Sequence, residues 1–282
     1  MTHRPAVTLM EVLIAMFIMA IGMLALLTLF PLGALSMAQA LKDDRCANTA
    51  SMAENVAIAM NVCHDSVVLN GFGLSTTTPP MVYVDPYGVL GGLGSVQVGG
   101  VIPRVSTSFA SSLASTDRWF SLPDDITFLA NGTLDTSSSF IDRGRRYSYA
   151  YLLRQMSPNL AQFNLIQLYV VVYSGRPVNS LATANVGTLT FATTETPVTA
   201  TVLNPNSLQL GPPPSGRTMT IERGGWVFDP NNGYFYRVTN LADAGGGNTT
   251  VDVQPNLIGN PTQVVVMDNV AEVFDKGSSW QP

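Results

Sequence analysis

Ala6-Val7-Thr8-Leu9-Met10-Glu11-Val12-Leu13-Ile14-Ala15 leads into an apolar run that continues to Leu35. Between Glu11 and Lys42 there is no charged residue. At about 1.5 Å per residue, a helix from Val12 to Phe30 is roughly 28 Å long, which is one bilayer crossing. A carboxylate in such a helix costs about 3 kcal/mol on insertion scales, so Glu11 demands a partner.

Outward from this run, the leader Met1 to Ala6 carries His3 and Arg4. A basic leader ahead of an apolar helix keeps the N-terminus cytoplasmic and sends the rest outward. An ordinary secretory signal is the competing reading, with Ala38-Gln39-Ala40 as its small-x-small cleavage site. Against it, the uncharged run is about twice the usual h-region of 7 to 15 residues and has Glu11 at its entrance. An uncleaved signal anchor stays open. With 282 residues, 46% hydrophobic and 12% charged, the chain has room for one anchor helix and one large head of one or two lobes. A net charge of -5 argues against a nucleic-acid partner, because phosphate neutralisation needs a basic face. The one basic cluster, Arg143, Arg145 and Arg146, reads as a solvated strand edge.

Pro31 and Gly33 follow the apolar run and predict a kink or a locally melted segment. From Leu41 the pattern becomes amphipathic. Ala50, Ala53, Ala57 and Met60 recur at three- and four-residue spacing, while Lys42, Asp43, Asp44, Arg45 and Glu54 take polar positions. The small alanines predict close approach to a sheet. This helical pattern fades near His64, with Asn70-Gly71 as a stop. If Cys46 and Cys63 shared one continuous helix they would be about 25 Å apart, beyond disulfide reach of about 7 Å.

Residues 71–146 are rich in Gly, Pro, Ser and Thr and read as loop, with one or two short strands such as Met81-Val82-Tyr83-Val84 and a small core segment from Trp119 to Leu129. From Tyr147 the period changes to two. Tyr147, Tyr149, Tyr151 and Leu153 fall on one face, and Leu165 to Tyr173 suits a central strand. Further strands are expected at Gly187 to Ala192, Val198 to Leu203, Arg217 to Glu222, Trp226 to Phe228, Tyr234 to Asn240, Thr249 to Gln254, Gln263 to Met267 and Val270 to Phe274. The tail from Trp226 to Phe274 reads as a meander, and antiparallel sheet is the consequence.

Little in the chain points to catalysis. His64 is the single histidine outside the leader, so a two-histidine metal site is impossible within one chain, and no nucleophile motif lies near it. No P-loop, dinucleotide glycine fingerprint or CxxC pair occurs. Asp229-Pro230-Asn231-Asn232-Gly233 alternates oxygen ligands as a calcium loop does but lacks the later bidentate glutamate, so it reads as a hairpin turn. Asp124-Asp125, Asp135 and Asp142 are assigned no metal. Trp226, Phe228, Tyr234 and Tyr236 read as hairpin core, ahead of a carbohydrate platform. The expectation is therefore no catalytic residue, no cofactor and no metal.

The stretch Ala6 to Ala15 resembles the prepilin processing and methylation site, in which a small residue precedes the cut and a glutamate stands fifth in the mature chain. Ala6 stands where that family usually has Gly, and Val7 where it usually has Phe or Met. Ile18-Met19-Ala20-Ile21-Gly22-Met23-Leu24-Ala25-Leu26 is most similar to V-type minor pilins of type IV pili and I-type minor pseudopilins of type II secretion. The resemblance implies cleavage between Ala6 and Val7 by a prepilin peptidase and methylation of Val7; the charge of Glu11, set against the amine that cleavage would free on Val7, gives it the expected role of setting subunit register in a filament. It implies an α+β fold, a long N-terminal helix with a membrane-spanning first half, packed on an antiparallel β-rich pilin-like head. The expected divisions are leader 1–6, transmembrane and filament-core helix 7–35, amphipathic half-helix 36–70, variable region 71–146 and β-sheet head 147–282. The implied partners are other pilin or pseudopilin subunits, an inner-membrane assembly platform and the membrane itself, with no nucleic acid. Its place would be the cytoplasmic membrane, single-pass with the head extracytoplasmic, and then the pilus or pseudopilus. A membrane-anchored binding protein or enzyme, with the helix as a tether, is the alternative.

Overall fold

The computed structural model describes residues 9–97, 100–122, 147–156, 165–176, 195–214 and 219–277. The chain divides into two compact units, Met1–Arg45 and Cys46–Pro282.

Helix α1, Leu9–Ala59, is 51 residues long with Glu11 in its first turn. The melted segment expected after the apolar run is not there, because α1 stays helical through Pro31 and Gly33. One interior proline costs about 3 kcal/mol, and the Leu-, Met- and Ala-rich turns on either side propagate the helix past it. The helix does end sooner than the fading pattern suggested. Asn61 adopts φ +48°, the left-handed conformation that stops helices and that asparagine tolerates. A 3₁₀ turn, Val62–His64, follows. Asp65 then accepts from the Val67 amide at 2.9 Å and caps α2, Ser66–Leu74. Residues 36–70 are thus a helix, a break and the start of a second helix, which corrects the single half-helix expected. Cys46 lies in α1 and Cys63 in the 3₁₀ turn, both as buried thiols.

After α2 the chain forms β1 (Met81–Val84), α3 (Pro86–Leu90), β2 (Val96–Gln97), β3 (Val101–Ile102), β4 (Arg104–Val105) and α4 (Leu113–Phe120). Then come β5 (Tyr147–Gln155), β6 (Ile166–Ser174), β7 (Glu195–Asn204), β8 (Ser207–Leu210), β9 (Trp226–Asp229), β10 (Tyr234–Gly245), β11 (Asn248–Gln254), β12 (Gln263–Met267) and β13 (Val270–Asp275). A five-stranded sheet runs β13-β6-β5-β1-β4, antiparallel except for the β1–β4 pair. The region taken as variable loop therefore supplies β1, which lies between β5 and β4 and is buried at every residue. Strands β7 to β12 close into a separate six-stranded antiparallel barrel. Of the meander expected from Trp226 to Phe274, β9, β10 and β11 are consecutive neighbours, but β12 pairs with β7 and β9, and β13 joins the five-stranded sheet beside β6. A period of two says that a strand has two faces but not which strands flank it. Of the remaining strand expectations, Gly187 to Ala192 lies outside the described residues, and Met219 to Glu222 is not a strand.

The sheet is covered on both faces, which is why β5 and β6 are buried almost end to end. One face carries Tyr147, Tyr149, Tyr151 and Leu153 and packs on Ala50, Ala53 and Ala57 of α1. The alanines admit the close approach expected of them, and the Tyr151 hydroxyl donates to the Ala53 carbonyl at 2.6 Å. Phe120 of α4 completes this layer, 5.2 Å from the Tyr149 ring and 5.7 Å from the Tyr151 ring. The other face, with Met81, Leu152, Tyr169 and Val171, packs on Trp226, Phe228, Phe235 and Val265 of the barrel. Each fully buried side chain of this kind contributes about 1.5–3 kcal/mol, so the barrel is firmly seated. A third core, centred on Leu208, Tyr236, Val251 and Val264, fills the barrel.

The turn between β9 and β10 touches the sheet directly. Gly233 has φ +70°, and a Cβ there would lie 2.7 Å from Met81 Sδ and 2.8 Å from Arg154 Cδ. Both strain and overlap follow from any side chain. Gly233→Ala is expected to destabilise the head by about 2–3 kcal/mol, read as a lowered urea midpoint; an unchanged midpoint would show that the turn is not tightly seated.

Candidate functional site

Two places carry functional side chains. Ala6 and Val7 lie outside the described residues, whereas Glu11 is exposed in the first turn of α1. A carboxylate there complements the positive end of the helix dipole. Every large apolar side chain described from Leu9 to Leu41 is exposed, Val12 by 42% and Phe30 by 81%. Such a continuous apolar surface marks a membrane or partner interface. Among the described residues no helix is long and apolar enough to cross a membrane.

The second place went unnoticed in the sequence. Asp85 follows β1 and caps α3, accepting from the Gly88 amide at 3.0 Å. Pro86 at the first helical position needs no donor there, and its fixed φ suits the turn. Arg176, just past β6, grips the Asp85 carboxylate with both Nη atoms at 2.7 and 2.6 Å. Arg104 of β4 binds Asp85 with one Nη and Glu195 at the head of β7 with the other. The Asp85, Arg104 and Arg176 side chains are at most 1% exposed. Their guanidiniums also stack on tyrosines, Arg104 4.9 Å from the Tyr83 ring centre and Arg176 4.3 Å from that of Tyr173. A Cβ on Gly88 would lie 2.2 Å from Asp85 Oδ2, so only glycine admits the carboxylate so close to the α3 backbone.

Two carboxylates and two guanidiniums balance in charge. Burial alone would raise the Asp85 pKa, but Arg176 and then Arg104 outweigh it and hold it at about 2. The cluster borders a cavity of about 400 Å³ lined by Leu93, Ser95, Gln97, Pro197 and Pro214 among others. Asp85 and Arg104 are both committed to neighbours, so the arrangement acts as a clamp joining the sheet to the first barrel strand. Its sequence signal is slight: an Asp-Pro-x-Gly cap at Asp85, and arginines set among apolar residues in a chain with few charges.

The other sequence candidates resolve plainly. His64 is exposed and its Nδ1 pairs with Asn61 Oδ1 at 2.8 Å. Asp229 accepts from the Asn231 and Asn232 amides at 2.9 and 3.4 Å and from the Asn232 side chain at 2.8 Å, so it organises the turn. Trp226, Phe228 and Tyr236 are core, and Tyr234 is half-buried. Asp124, Asp125, Asp135, Asp142, Arg143, Arg145 and Arg146 lie outside the described residues. Among the described residues no group of three or more His, Cys, Asp or Glu is placed to hold a metal ion.

Asp268, in the turn from β12 to β13, buries Oδ1 without a hydrogen bond, and burial raises its pKa to about 6. The native state then holds the proton between about pH 4 and 6 where the unfolded chain has lost it, so stability falls as pH rises through that window. Asp268→Asn is expected to raise the thermal midpoint at neutral pH and to leave it unchanged near pH 3.5; an equal shift at both would exclude titration as the cause.

No curated protein and no solved structure matches the chain. A family model described as the prokaryotic N-terminal methylation motif matches residues 1–27. The exposed apolar helix with Glu11 in its first turn is therefore led by a prepilin-type processing and methylation motif.

Proposed function

We propose that this protein is a structural subunit, a minor pilin or pseudopilin, of a type IV pilus or a type II secretion pseudopilus. The observation that carries the reading is the methylation motif over residues 1–27 set on a helix whose described apolar side chains are exposed from Leu9 to Leu41. The motif implies processing by a prepilin peptidase and assembly with other pilin subunits. In this reading the peptidase cuts between Ala6 and Val7 and Val7 is methylated. The helix rests in the cytoplasmic membrane with the head outside, and an inner-membrane platform then draws it into the filament. The head has no catalytic duty. A mass spectrum of the N-terminal peptide from native envelopes tests this, and the expected peptide begins with methylated Val7. A peptide beginning at Met1 or Thr2 would make the helix a plain tether, and one beginning at Leu41 would make it a secretory signal.

A further inference from the structure

The barrel leaves and rejoins the sheet at one point. β6 ends at Ser174 and β13 begins at Val270; the two are antiparallel neighbours with Tyr173 opposite Val270. The Ser174 amide donates to the Asn269 carbonyl at 2.9 Å. Joined directly, these strands would be the two arms of a hairpin. All six barrel strands fall in the chain between those arms, from Glu195 to Met267. Each finds both its neighbours inside the barrel, so among the described residues no strand ladder joins barrel to sheet. The barrel interior is drawn wholly from its own segment, and the core between α1 and the sheet takes nothing from it. Among the described residues the two dock through the apolar layer beneath Trp226 and Phe228, the Gly233 turn against Met81 and Arg154, the stacking of Arg154 on Tyr234, and the Arg104–Glu195 and Arg237–Glu272 pairs.

We infer that the barrel is a self-sufficient module inserted into the β6–β13 hairpin, and that helix and sheet form the assembling scaffold, so that incorporation into a filament is blind to the state of the barrel. This inference rests on the filament-subunit reading for its second half only. A closed barrel satisfies its own backbone, which is what allows a segment to enter a hairpin without rewriting the pairing around it. On the barrel's outer surface, Thr201, Gln209 and Thr250 are cross-strand neighbours, and the tip of the β10–β11 hairpin is exposed from Ala242 to Gly247. This polar surface is left to functions other than assembly.

The test uses the full-length protein with Leu208→Ala and Val264→Ala together, both fully buried in the barrel and in neither of the other cores. Hydrogen exchange read by mass spectrometry is expected to show at least about tenfold faster exchange in β8, β11 and β12, with β5 and β6 within about twofold of wild type. The variant is expected in sheared filaments at the wild-type level. Matching loss of protection in β5 and β6 would overturn the module. Barrel-specific loss with the variant absent from filaments that contain the wild type would overturn the division of labour. If the wild type itself never enters filaments, the filament reading fails, and the exchange pattern still decides whether the barrel is a module. Val264→Ala alone leaves a smaller cavity and reads the same contrast should the double variant not accumulate.

Discussion

Asp85→Asn is expected to lower the thermal midpoint of the head by about 10 °C at neutral pH. The substitution keeps size and removes the charge on which two buried guanidiniums converge. Arg176 holds that carboxylate at 2.7 and 2.6 Å with its side chain wholly out of water, and Arg104 shares it with Glu195. Breaking a buried ion pair from one side costs about 3–5 kcal/mol, because the remaining charge stays desolvated without its partner. In a domain of this size each kcal/mol moves the midpoint by about 2–4 °C. The pH dependence supplies the sign. The Asp85 pKa falls from an ordinary 3.8 to about 2 in the folded state, so its contribution is complete above about pH 4 and is lost as pH falls toward 2. The gap between wild type and variant, followed by circular dichroism, should therefore be constant from neutral pH to about pH 5 and narrow below about pH 4. A variant melting within about 2 °C of wild type at neutral pH would show that the cluster gains no more from charge than from its hydrogen bonds.

That cluster also shows where sequence reading stops. The long helix and β5, β6 and β9 to β13 were legible because each carries its own pattern: an uncharged run, alanines at helical spacing, or apolar residues at period two. What each element packs against was legible only for α1, whose small Ala50, Ala53 and Ala57 require a flat neighbour. Partition of the later strands between a sheet and a barrel leaves no local trace, since Val264 in the barrel and Val270 in the sheet sit in the same apolar alternation. β1 was seen as a four-residue apolar snatch but not as a sheet strand between two others, because its context of Gly and Pro belongs to its neighbours in sequence rather than in space. Asp85, Arg104, Arg176 and Glu195 span more than a hundred residues, and only the fold brings them together. Glu11, by contrast, needed no fold to be noticed. Its anomaly, a charge at the head of an apolar run, is local.

Glu11→Gln is expected to leave membrane insertion and processing intact and to reduce recovery in sheared filaments by tenfold or more, about 1.4 kcal/mol or above in the assembly step. Cleavage after Ala6 would create an α-amino group on Val7, whose ordinary pKa of about 7.7–8 leaves it largely positive near neutral pH. Within one chain that amine and Glu11 start about 6 Å apart along the helix axis, and in a helical array the amine of an incoming subunit can meet the Glu11 of its neighbour. Inside an apolar bundle an unpartnered carboxylate costs several kcal/mol and a paired one recovers much of it, so one axial register is selected and the others are penalised. Glutamine keeps the size and a hydrogen-bonding oxygen but carries no charge, so insertion becomes easier while register selection is lost. The exposed setting of Glu11 in the first turn of α1 offers a competing account, in which the carboxylate only complements the helix dipole. That effect is worth under about 1 kcal/mol and acts within one chain, so it predicts no assembly defect. Wild-type recovery of the Gln variant in filaments, with unaltered processing at Val7, would leave the dipole as the whole role of Glu11; a filament defect in Glu11→Gln that Glu11→Asp, which keeps the charge, does not share would tie that role to charge.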